Sequence, residues 1–157
     1  MTVISTDPLW SVESRPNPER AVIDIPAPAA GFTRLRMTIA YDGSKFRGMA
    51  ENDGVETVAG TIRAEIERCV RHPVELSIAG RTDAGVHGWG QVISFDVDTD
   101  LVASGKGSPA RLARSINRQC VPGIVVRDAQ LAAADFDARF SALWRSYRYT
   151  IVNRPIP

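Results

Sequence analysis

Cysteine is scarce, with only Cys69 and Cys120 among 157 residues. Each ends a helical pattern, and neither has a neighbour at metal-ligand spacing. Both read as small buried apolar residues of a reducing compartment, not as parts of a disulfide framework. No His-x-x-x-His or Cys-x-x-Cys pair occurs, so these common metal-binding patterns are missing. No apolar run approaches the roughly 20 residues of a membrane-spanning helix. Met1 to Pro8 lacks both the basic residues and the apolar core of a signal peptide. Charge of one sign is also lacking, the net being +1. Residues 1–31 carry a net of −2 (Asp7, Glu13, Glu19 and Asp24 against Arg15 and Arg20), which leaves +3 for the remainder. That weakly basic balance permits RNA binding without demanding it.

What is present centres on Gly80-Arg81-Thr82-Asp83-Ala84-Gly85-Val86-His87-Gly88. Strand-like runs flank it, Val74 to Ala79 before and Gln91 to Val97 after. Three glycines in nine residues let the backbone turn sharply and come close to a ligand. A carboxylate on a tight loop between two strands is held yet reachable, as a nucleophile or general base must be. Asp beside Gly is equally a common turn pair, in which Asp83 would cap only its own backbone. The Gly-x-x-x-x-Gly spacing is not a phosphate loop, because Val86-His87 follows Gly85 where Lys-Ser or Lys-Thr is required. Residue chemistry alone leaves Asp83 open between catalyst and turn former.

Residues 1–31 hold Pro8, Pro16, Pro18, Pro26 and Pro28 and no sustained period, which reads as an extended or disordered lead-in. From Thr33 to Tyr41, Leu35, Met37, Ile39 and Tyr41 alternate with polar residues, the pattern of a half-buried strand. Asp42-Gly43-Ser44 ends it as a turn. Thr57 is a good N-cap for a helix with Val58, Ile62, Ile66, Cys69 and Val70 on its stripe, ending near His72-Pro73. The strand, loop and strand around Asp83 follow. His87 is read as bonding within its own loop, and Trp89 as a core or rim aromatic, with base stacking the alternative. Asp98 to Gly107 reads as a loop. Ser108-Pro109 then starts a helix with Leu112, Ala113 and Ile116 buried, and Asn117 reads as a structural side-chain bond. Ile124 to Arg127 is the next strand, Phe136 to Ser141 a loop or strand edge rich in charge, and Leu143 to Asn153 a last strand. Strand alternation there places Arg145, Tyr147, Tyr149 and Ile151 on one face and Arg148 on the other. The order predicts an α+β fold, a mostly antiparallel ferredoxin-like or RRM-like sheet with two helices on one face.

The nine-residue string resembles the signature of the TruA family of tRNA pseudouridine synthases. Two further stretches resemble that family's motifs, in its order, over roughly residues 33 to 155. They are Tyr41-Asp42-Gly43-Ser44-Lys45-Phe46-Arg47-Gly48, and Ala138-Arg139-Phe140-Ser141-Ala142 with Arg145-Ser146-Tyr147-Arg148-Tyr149. The resemblance implies that residues 32–157 are the N-terminal catalytic subdomain and that a similar second half, completing the RNA cleft, is absent. It implies Asp83 as the catalytic carboxylate and Tyr147 as the ring against the target base. Arg81 would pair with Asp83 or fill the gap left by a flipped base, and Arg139, Arg145 and Arg148 would contact phosphates. Salt bridges to Asp135 or Asp137 are the structural alternative for those arginines. No cofactor and no metal are implied. The implied substrate is uridine at positions 38–40 of the tRNA anticodon stem-loop, the implied enzyme a cytoplasmic homodimer without membrane or DNA partners.

The chain departs from the family pattern at Met49 and Ala50, where Trp-Gln is usual, and at Ala59, where Gln is common. Met49 replaces Trp as apolar filling, and polar contacts to RNA are lost. Two other readings remain: a non-catalytic RNA-binding module or inactive fragment, and a small-molecule enzyme with a carboxylate nucleophile. The chain alone is expected to fold, to be inactive without the second half, and to associate through a face bearing Tyr149 and Ile151.

Overall fold

A computed structural model describes residues 23–151 and 153. The chain divides into two units, Ile23–Ala142 and a second made of Met1–Val22 with Leu143–Pro157. Most of the expected lead-in, residues 1–22, lies outside the described residues; 23–29 have no regular secondary structure.

The first unit is built on one antiparallel sheet. Strand β1 is Phe32–Tyr41. Its inward residues Leu35, Met37, Ile39 and Tyr41 are all buried, as the alternation predicts. Each such side chain contributes about 1.5–3 kcal/mol by leaving water. Helix α1, Val58–Val70, follows. The Thr57 hydroxyl accepts from Gly60 N, and Arg71 closes the C-terminus in the left-handed region at φ 61°. Strand β2 is only Ser77–Ile78. It is shorter than the expected run from Val74 to Ala79, and the Val74 N–H turns to the preceding helix instead, donating to Glu67 Oε1 at 2.9 Å. Strand β3 is Gly88–Asp98.

A short helix α2, Thr99–Ala103, occupies part of the stretch expected to be a loop. The Asp98 carboxylate starts it by accepting from Asp100 N and Leu101 N at 2.8 and 3.2 Å. Helix α3, Pro109–Cys120, begins where Ser108-Pro109 predicts, but without a side-chain cap from Ser108. That hydroxyl donates instead to Gly105 O at 3.0 Å. Strand β4, Ile124–Leu131, completes the sheet in the order β2-β3-β1-β4. This is the ferredoxin-like arrangement. The inner residues of α1 and α3, including Ile62, Ile66, Leu112 and Ile116, share one core with Leu35, Ile39, Ile93 and Phe95.

Three further expectations meet the structure. Asn117 makes the structural bond, donating to Val126 O at 3.0 Å and accepting from Val126 N at 2.7 Å. It supplies a backbone-like partner where β4 bulges away from β1, between Thr38 and Ile39 in register. Cys69 and Cys120 are free thiols, half-buried, with Cys69 Sγ donating to Ser115 Oγ at 3.1 Å. Burial raises the Cys120 thiol above its ordinary pKa. The final strand does not form. Residues 143–151 have no regular secondary structure and no strand pairing, and Tyr149 and Ile151 are exposed. Alternation alone makes no strand, because extended backbone needs a neighbour to take its N–H and C=O groups. The alternating faces expected there are therefore not faces of a sheet.

Candidate active site

The signature loop joins β2 to β3 and is seated on the segment that follows β1. The contacts are specific. The Tyr41 hydroxyl lies 2.7 Å from Thr82 Oγ1. Met49 N donates to Thr82 O at 2.9 Å. A side chain at Gly43 would run into the Val86 backbone, and a Cβ at Gly48, where φ is +106°, would press on Thr82 O at 3.1 Å. Glycine at both positions lets the two backbones touch. His87 Nδ1 lies 3.3 Å from Asp42 Oδ1, so His87 pairs outside its own loop, with the first motif. The Gln91 side chain holds the loop's other end by donating to Gly80 O. Two motifs forty residues apart in sequence thus form one structural piece.

On this seat Asp83 stands exposed. Its carbonyl accepts from Val86 N at 3.2 Å and closes a turn. Among the described residues its carboxylate takes no part in any hydrogen bond or ion pair. The turn is therefore closed by the backbone, and the carboxylate is left unengaged among the described residues. Arg81 is also exposed, and no ion pair joins it to Asp83. The expected pairing does not form, the two side chains lying on an open loop with no burial to force them together.

The support around Asp83 has its own electrostatics. The Asp42 carboxyl is held below its ordinary pKa, first by the Ser44 hydroxyl and backbone N–H, then by the charges of His87 and Lys45. Arg63 forks onto Glu51 at 2.8 and 2.7 Å and also meets Glu67 at 3.0 Å, tying the loop before α1 to that helix. Met49 is fully buried, which bears out its reading as apolar filling, and Ala59 is buried beside it at the start of α1. Ala59 N donates to Met49 O at 2.9 Å.

The first part of the third motif docks on the sheet face turned away from the helices. Ala138 N donates to the buried Ser94 Oγ at 2.9 Å, and Arg139 N donates to Asp137 Oδ1 at 2.8 Å. The Arg139 guanidinium lies over the Phe140 ring, 5.2 Å from its centroid, and not in a salt bridge with Asp137. Arg34 clamps the preceding segment, forking onto Asp96 and donating to Ala134 O and Phe136 O at 3.0 Å each. Arg145, Tyr147 and Arg148 belong to the second unit, where Tyr147 is exposed. No group of three or more His, Cys, Asp or Glu is placed to hold a metal among the described residues. None of the described helices is long and apolar enough to cross a membrane.

The motifs contain Thr82, Tyr41 and Asp42, but the contacts of Tyr41 with Thr82 and of Asp42 with His87 were not legible in the sequence, although a buried tyrosine hydroxyl usually finds a partner.

The order β1-α1-β2-β3-α2-α3-β4 is that of an α+β ferredoxin-like fold, and its β2–β3 loop carries the unengaged Asp83 carboxylate. The comparisons name the family. The chain is 43% identical over 136 residues to the tRNA pseudouridine synthase A of Leifsonia xyli subsp. xyli, covering 78% of this chain and 47% of the relative. It is 41% identical over 131 residues to that of Cutibacterium acnes, covering 80% and 45%. It is 40% identical over 125 residues to that of Pseudoalteromonas translucida, covering 78% and 44%. No family model matches the chain. The chain belongs to the TruA family and corresponds to the half that carries the signature aspartate. It spans under half the length of these relatives.

Proposed function

We propose that this chain is the N-terminal catalytic subdomain, residues 32–157, of a tRNA pseudouridine synthase that isomerises uridine at positions 38–40 of the anticodon stem-loop. The observation that carries the reading is the exposed, unengaged Asp83 carboxylate on a loop fixed at Thr82, Val86 and His87. The isomerisation breaks the N1–C1′ bond, turns the base and joins C1′ to C5; the C5 proton leaves and N1 ends protonated. Electrons balance without a redox partner, so no cofactor is called for. A carboxylate serves by covalent attack or by abstracting a sugar proton. Its pinned loop keeps it in one place while the base turns.

In this reading the target nucleotide is flipped out of its stack. Arg81, exposed beside Asp83, occupies the vacated space. Tyr147 stacks on the uracil ring, an interaction of about 1–3 kcal/mol. Arg139 and Arg145 contact phosphates. The partner is tRNA, a similar second half closes the cleft, and the assembled enzyme is a cytoplasmic homodimer. The test is direct detection of pseudouridine at positions 38–40 in tRNA from a strain lacking the gene. Loss of the modification, restored by the intact gene, supports the reading. Full modification in the deletion strain overturns it.

A further inference from the structure

Trp89 is 80% exposed, although it is the second residue of a strand whose later residues enter the core. Two irregularities put it there. The β1–β3 register slips between Ile39 and Tyr41, opposite Gln91 and Gly88. The β1–β4 register slips at the same level, between Thr38 and Ile39, opposite Asp128 and Val126. The first ladder skips Trp89 and Gly90, which together stand against Ala40, and the second skips Arg127. A bulge re-aims the side chain of its unpaired residue. Here two bulges, on strands either side of β1, aim their side chains at each other.

Arg127 reaches across β1 to donate to Trp89 O at 2.6 Å, and its guanidinium lies 5.2 Å from the centre of the Trp89 ring. Arg127 is itself exposed, and no carboxylate pairs with it among the described residues. The indole is therefore braced from one side, with the rest of its surface open to water. A braced, solvent-facing aromatic beside a cation with no acidic partner suits a flat ring attached to an anion. Trp89 stands two residues from His87, at the end of the Asp83 loop.

We propose that Trp89 and Arg127 form a stacking platform for an unpaired nucleobase of an RNA strand, with Arg127 also facing that nucleotide's phosphate. The occupant is a base neighbouring the target, not the target itself. This rests on the reading of the chain as an RNA-modifying subdomain and extends it to how the strand is held.

The test measures affinity in the full protein carrying Asp83→Asn, so that no turnover intervenes. The probes are a short fluorescein-labelled oligouridylate and an abasic ribose-phosphate oligomer of equal length. Trp89→Ala is expected to weaken oligouridylate binding roughly tenfold, the scale of one stacked base, and to leave the abasic oligomer unchanged. Trp89→Phe, which keeps a ring, is expected to restore most of the loss. Circular dichroism verifies that the variants fold. Unchanged oligouridylate affinity in Trp89→Ala overturns the proposal. So does an equal loss on both probes, which marks a role other than base stacking. A base-dependent loss together with unaltered tRNA in the deletion strain upholds the platform and removes only the isomerase reading.

Discussion

The Tyr41 hydroxyl lies 2.7 Å from the Thr82 hydroxyl, joining the end of the central strand to the residue before Asp83. Tyr41 is buried and Thr82 half-buried, so this part-buried bond reports the fit of loop to sheet. Tyr41→Phe keeps the ring and removes the bond. A loss of about 1 kcal/mol in stability is expected. Amide exchange across residues 80–88 should accelerate while α3 is unaffected. Identical exchange in that loop would show that the bond does not hold it.

Gly43 tests the same contact through shape. A methyl group there meets the carbonyl oxygen, carbon and nitrogen of Val86, and backbone atoms cannot swing aside as a side-chain end can. Gly43→Ala is expected to cost about 1–3 kcal/mol and to displace the Asp83 loop. Turnover should fall by more than the loss of folded protein explains. Gly90→Ala is the control, because its Cβ would meet nothing within 4 Å. Equal thermal midpoints for the two variants would contradict the packing described here.

The Asp42 carboxylate gives a pH dependence whose sign is fixed. Its folded pKa lies below the ordinary 3.8, through the Ser44 hydrogen bonds first and the His87 charge later. Its contribution is therefore present above pH 3.8 and is lost as pH falls through the depressed folded value. Removing it with Asp42→Asn should flatten that part of the stability–pH curve, measured by denaturant midpoints in the acid range. A curve of unchanged shape would place the acid sensitivity elsewhere.

Period-two and helical spacing made most of the fold legible, because β1, α1 and α3 each bury one face and the sequence writes that face plainly. Asn117 could be read as structural for a similar reason, since a polar residue on a buried helix needs a partner. The last strand could not be judged that way. The alternation of Arg145, Tyr147, Tyr149 and Ile151 says nothing about what they pair with, and 143–151 form no strand. At the site, the loop and its carboxylate were visible in the glycine spacing. The seat beneath was not, because Tyr41, Gly43 and Met49 meet Thr82 and Val86 only after folding brings forty residues of intervening chain back. The bulges that aim Trp89 and Arg127 at each other also left no periodic mark. A single extra residue is indistinguishable from a strand's end in sequence.

The central claim is that Asp83 performs the chemistry. Asp83→Asn keeps the side chain's shape and removes its charge at an exposed position with no partner among the described residues. Placed in the otherwise unaltered protein, it should leave folding unchanged, since surface substitutions of this kind stay within about 0.5 kcal/mol. Pseudouridine formation on unmodified tRNA, measured with the purified variant beside the parent, should disappear. Pseudouridine appearing at the parent's rate would contradict the assignment of Asp83 and the mechanism built on it.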